Sequence, residues 1–212
     1  MTISFFKKKI KAFSLVEILV VLGLFSSIAT LALGSLFNVQ AINGRLQETQ
    51  AILDNVNLSL QTVTRDIRFG SDYYCTSTST PLQAVPSVRR NCTKDDGGGT
   101  MLIFKPDDAV NALDRVAYFV QNGTLYREEY DYGAQPALSQ MTAKDVVIQT
   151  LMFYVDGADT ADGSNDENDA FDFKQPFVTL LISGKSVPAN VERKPVVFNV
   201  ETGISPREFD NQ

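Results

Sequence analysis

Residues 18–37 form an unbroken run of twenty residues with no charge and no proline. As a helix the run is about 30 Å long, the thickness of a bilayer's hydrocarbon core. It constrains the fold more than any other stretch. Backbone in hydrocarbon must satisfy its own hydrogen bonds, and a lone segment does so only as a helix. Lys7, Lys8, Lys9 and Lys11 stand before it, the arrangement that keeps an N-terminus cytoplasmic and sends the following chain across. Two plain readings fit. One is a signal anchor; the other is a secretory signal peptide with Ala32-Leu33-Gly34 as its cleavage site. The run exceeds the ~7–15 residues of a usual signal-peptide core, which favours the anchor.

Neither reading accounts for Glu17, at the mouth of the run. A charged side chain costs roughly 2.5–3.5 kcal/mol at the centre of a membrane and less at its interface, so such a residue normally has a partner. Cleavage between Ala12 and Phe13 would create one, a new α-amine four residues before Glu17. Between two chains offset along a common axis, Glu17 of one would neutralise the amine of the next. Setting register in this way is the best-attested use of buried polar groups.

The segment KKIKAFSLVEILVVLGLF (residues 8–25) resembles the N-terminal signal of type IV pilins and type II secretion pseudopilins. In that family a short basic leader ends in a small residue, a phenylalanine usually follows, and a glutamate stands at the fifth mature position. Phe13, Ser14 and Glu17 match. Ala12 departs from the usual glycine and is a less efficient residue before the cut. The resemblance implies that a prepilin peptidase removes residues 1–12, that the Phe13 amine is N-methylated, and that Glu17 serves subunit assembly. It also implies a single-pass protein of the cytoplasmic membrane that joins a filament of other pilin or pseudopilin subunits.

Beyond the apolar run, Ile42, Leu46, Leu53, Val56, Leu60, Val63 and Ile67 recur at helical spacing among polar residues. The pattern predicts one helix from about Ser14 to about Phe69, some 80 Å long. Gly34 is a weak point within it, and Gly70 offers a C-terminal stop. Residues 71–99 have the composition of a loop, with Gly97, Gly98 and Gly99 at its end. Strand-like runs follow at 100–105, 115–121, 124–129, 146–155, 177–182 and 196–200, with Asn122-Gly123 as a hairpin signal. Val116, Tyr118 and Val120 are the expected inner face of one strand, and 146–155 reads as a central strand covered by the helix. The expectation is an α+β fold, a long helix on a mainly antiparallel sheet. The domains are a leader (1–12), a helix (13–69) and an extracytoplasmic β-rich domain (70–212). DRVAYFVQNGTLYREEY, MTAKDVVIQTLMFYVDG and PFVTLLISG resemble the body of minor pilins and minor pseudopilins of the pilin W and pseudopilin J kind.

The chain's formal charge is −6, and the leader's four lysines leave −10 on the remainder. An acidic body does not suit nucleic acid. The absence of histidine removes Ser-His-Asp and Cys-His catalysis and every histidine-containing zinc site. No motif favours catalysis by a carboxylate pair, so no enzymatic activity is expected; Asp107 and Asp108 follow a proline, as in a turn. Cys75 and Cys92, placed outside the cytoplasm, predict a disulfide worth roughly 3 kcal/mol; two free buried thiols are the alternative, and metal ligation is a poor one for two cysteines without histidine. Residues 156–172 hold seven acids and no base. Calcium is one reading, with Asp159, Asp162, Asp166 and Asp169 as ligands, although the spacing is not that of an EF-hand. A solvated acidic loop between two strands is the other.

Overall fold

The computed structural model describes residues 14–84, 89–158, 175–188 and 194–207. The leader, Ala12, Phe13 and the calcium candidates Asp159, Asp162, Asp166 and Asp169 lie outside them. The chain divides into two units, Met1–Glu48 and Thr49–Gln212. Helix α1 (Leu15–Phe69) begins one residue from the expected start and ends at the expected residue.

In the first unit the helix runs through Gly34 without a break. Leu15, Leu22, Phe25, Leu31 and Phe37 are all more than half exposed. It is the one helix among the described residues long and apolar enough to cross a membrane. Each hydroxyl in the run is satisfied by the helix itself: Ser26 donates to the Gly23 carbonyl, Ser27 to Leu24, Thr30 to Ser26 and Ser35 to Ala32. Such bonds remove the cost that a bare hydroxyl meets in hydrocarbon.

In the second unit the helix buries Ile52, Val56, Leu60, Val63 and Ile67. Leu53, expected on this stripe, is 42% exposed and Ile52 takes its place. Ile42 and Leu46, both expected on the stripe, belong to the first unit and are exposed. The buried side chains share one core with Leu102, Phe104, Tyr118, Phe153, Leu180 and Phe198.

The strands form two antiparallel sheets rather than one. The first has the order β1 (Ser71–Thr76), β2 (Met101–Lys105), β3 (Arg115–Gln121), β4 (Thr124–Tyr130) and β5 (Ala137–Gln140). The second has β6 (Val146–Asp156), β7 (Phe177–Ser186) and β8 (Val197–Ile204). Residues 71–99 are therefore not all loop: they hold β1 and a single 3-10 turn at Leu82–Ala84. Composition hid β1 because its residues, SDYYCT, are mostly polar. The fully exposed β5 gives no apolar alternation to read. Nor is β6 central. It ends its sheet and β7 occupies the middle; its buried residues, Val146, Ile148, Leu151, Phe153 and Val155, lie on one face across a bulge, and the chain before β2 pairs with its outer edge.

That junction runs from Arg90 to Gly99. Arg90 bridges to Tyr74 on β1, whereas Cys92 and Gly99 bridge to Val155 and Phe153 on β6. The β3–β4 hairpin reaches β6 as well, through a 2.8 Å bond from the Ile148 amide to the Gly123 carbonyl. Asn122 and Gly123 have φ of 52° and 77°, the left-handed pair that a type I′ turn requires. Val116 and Tyr118 are buried in the main core and Val120 packs at its margin, as their alternation predicts. The opposite face of β2 and β3 is also covered, by Leu82 over Met101, Ile103 and Ala117.

Gly70 ends the helix, but not by a left-handed turn. Positive φ falls on Asp72 instead, at 52°, with its carboxylate 2.9 Å from Nε of Arg89. A Cβ on Gly70 would run into the ring of Phe104, so glycine is needed there for close approach. The Tyr73 hydroxyl lies 2.6 Å from both the Ile67 and the Gly70 carbonyl and donates its one proton to either, satisfying a group that a helix end leaves open. Gly70→Ala should therefore cost ~1–3 kcal/mol by overpacking, read as a lower urea midpoint. Adding Phe104→Leu should recover part of the loss, and a midpoint equal to the parent's in Gly70→Ala would refute the contact.

Candidate functional site

Glu17 lies in the first turn of α1 and is exposed. Its amide donates to the Ser14 carbonyl at 3.0 Å, and the Ile18 amide donates to the same oxygen at 3.2 Å. Ser14 thus holds the N-cap position, and Glu17 stands three residues on, where a carboxylate suits the positive end of a helix. Among the described residues its side chain has no ion-pair partner. A carboxylate at the opening of an exposed apolar helix is available to a cation from elsewhere.

Cys75 and Cys92 form the disulfide that the sequence predicts, with Cα atoms 5.7 Å apart. Both are buried. One belongs to β1 and the other to the junction segment, so the bond fastens the strip that joins the two sheets. A Cβ on Gly99 would run into the Cys75 sulfur, which explains why position 99 is glycine.

A polar network at the far end of α1 was not apparent in the sequence. Asp66 occupies the last turn, where the helix dipole disfavours a carboxylate. It is held there by two donors: the Tyr118 hydroxyl at 2.7 Å and Arg127 Nε at 3.0 Å. Tyr118 and Arg127 face each other across β3 and β4, and Arg127 also pairs with Glu129. Burial raises the Tyr118 phenol pKa, and the hydrogen bond to Asp66 raises it further. Burial opposes the charge on Arg127, but Glu129, Tyr118 and Asp66 outweigh it and its pKa rises. The network ties the amphipathic half of the helix to the hairpin. An acid in a final helical turn, paired with the arginine of the Leu-Tyr-Arg run, was the one available signal.

Asp107 and Asp108 line an open cleft of ≈ 540 Å³ with Asp66, Arg65 and Arg127. A buried acid, Asp114, locks the loop that follows: it accepts from the Asn111 amide at 2.7 Å and the Tyr132 amide at 2.8 Å. Those bonds, the one from Asn111 above all, hold its carboxyl below the usual range against its burial. Comparison with family models, with curated proteins and with solved structures returns no match.

Two measurements check these placements. Cys75→Ala/Cys92→Ala should lose ~3 kcal/mol of stability, and non-reducing peptide mapping of the parent should recover Cys75 joined to Cys92. Two alkylatable thiols in protein from its native compartment would contradict the bond. Because the folded pKa of Asp114 is depressed, its contribution is complete above the ordinary carboxylate pKa of about 3.9 and fades as pH falls below it. Asp114→Asn should therefore be less stable than the parent at neutral pH, with a gap that closes below about pH 4. A gap independent of pH would remove the charge from the explanation.

Proposed function

We propose that this chain is a minor pilin or pseudopilin, a structural subunit anchored in the cytoplasmic membrane and assembled into a type IV pilus-like or type II secretion filament. The observation that carries the reading is Glu17 in the opening turn of an exposed apolar helix, in the register that the resembling N-terminal segment requires. Prepilin peptidase cuts between Ala12 and Phe13 and leaves an amine. In the filament, Glu17 of one subunit neutralises that amine on its neighbour. A disulfide-bonded domain beyond the helix fits export to an oxidising compartment. The domain is a packing and docking body, and its partners are other subunits and the peptidase rather than nucleic acid or a small-molecule substrate.

Intact-mass measurement of membrane-extracted protein should give a chain beginning at a methylated Phe13. A chain beginning at Ser35, or one retaining Met1, would overturn the reading. Glu17→Gln should still be cleaved, inserted and folded, because the domain beyond the first unit does not use the residue. It should not co-purify with partner subunits, since leaving one ion of a buried pair costs about 3–5 kcal/mol. Glu17→Asp should fall between, with its charge kept and its reach shortened by one methylene. Assembly of Glu17→Gln at the parent's level would reduce Glu17 to an interfacial residue of a signal anchor.

A further inference from the structure

The two sheets present four edges, and among the described residues three of them are blunted. On β1, the Arg90 amide donates to the Tyr73 carbonyl at 3.0 Å and the Cys75 amide to the Arg90 carbonyl at 3.1 Å. β5 has only four residues, and β6 is bridged by Cys92 and Gly99. β8 differs. Its eight residues keep an unbroken register with β7, and among the described residues no strand pairs with its other side. It holds no proline and no lysine, two of the devices by which natural sheets keep an edge from pairing. Its one charged residue, Glu201, is exposed and meets Lys94 at 3.8 Å.

A groove of ≈ 400 Å³ runs beside this edge. Val200 and Thr202, half-buried on β8, form one wall. The other is a flank of α1 on which Leu60, Thr64 and Arg68 follow one another at helical spacing. Where β8 ends, the groove shares Arg68 and Phe69 with a pocket of ≈ 310 Å³ that Asp107 and Arg207 complete. The Arg207 amide donates to the Arg68 carbonyl at 2.9 Å, which holds the two arginines together. Both are exposed, and neither has an ion-pair partner among the described residues. Two guanidiniums against the one carboxylate of Asp107 leave this end positive.

We propose that β8 and this groove take up an extended segment of a partner protein as an added antiparallel strand. The bare backbone edge supplies the hydrogen bonds, and alternate side chains of the segment enter the groove. Because β8 runs toward Arg207, an antiparallel strand begins beside the arginines. The segment therefore carries acidic residues ahead of its alternating part, and guanidinium binds their carboxylates in bidentate fashion. Charge complementarity favours such a partner over a second copy. β8 paired with β8 antiparallel about Val200 and Glu201 would set Lys194 against Arg207, and like charges disfavour that pairing. The assignment stands apart from the filament reading: it needs only the folded domain.

Fluorescence anisotropy on the full chain in detergent micelles tests it. The probe is a labelled peptide as long as β8, two aspartates followed by alternating valine and threonine. Its binding should saturate, and should weaken about fivefold in Arg68→Gln/Arg207→Gln, the scale of two exposed ion pairs. Glu17→Gln should bind it as the parent does, which separates this assignment from the filament reading. An added strand turns every second amide toward β8. N-methylation of alternate peptide amides should therefore abolish binding in one register and spare it in the other, a contrast that needs no change in the protein. Equal effects of the two methylated peptides overturn the proposal, as do unchanged affinity in the arginine variant or no saturable binding at all. So does self-association of the full chain that the peptide disperses, which would give the edge to a second copy.

Discussion

The burial of one face of the helix's second half is the contact on which the domain depends. Ile52, Val56, Leu60, Val63 and Ile67 reach side chains of both sheets in a single core, so neither sheet has a complete interior without the helix. A three-stranded sheet and a five-stranded one, each with an apolar face, would otherwise have to cover each other directly. The stripe is narrow, with apolar positions three and four apart; the polar positions beside it are partly or fully exposed, save Ser59, which is buried and donates to the Met141 carbonyl. That division is the sequence pattern expected of a helix that serves as a wall rather than as a span.

The first unit follows the opposite rule. Its apolar residues surround the helix and are exposed, while its hydroxyls turn inward to the backbone. One secondary-structure element thus carries two solvation regimes. The change falls between Leu46, which is exposed, and Ile52, which is buried, close to the division between the units. Glu17 and Asp66 mark the two ends. The first carboxylate is where the helix dipole favours it. The second is where the dipole disfavours it and side-chain donors on the hairpin compensate.

Periodicity and turn chemistry made much of this legible in the sequence. The helix, the Asn122-Gly123 hairpin and six of the strands follow from alternation and punctuation, and the disulfide follows from its inferred compartment. Strands whose partners rather than their residues decide their structure were illegible. β1 is polar but is held between β2 and Arg90, and β5 is exposed on every residue. The sheet order was illegible for a related reason: an apolar strand buried by a connecting segment looks like one buried by a central position. The Asp66 network was missed because its members lie 52 and 61 residues apart. The acidic residues 159–172 are legible as composition and the leader as a resemblance, and both lie outside the described residues.

The disulfide has a consequence beyond the stability of its own loop. It pins the junction segment whose Cys92 and Gly99 cover the outer edge of β6. Residues 146–155 carry no charge and no proline, the composition of a segment that recruits a second strand when its edge is bare. While Cys75 and Cys92 are joined, that edge is spoken for within the chain. Before they join, the same residues are a sticky template, so oxidation acts here as protection against self-association as well as a fastening.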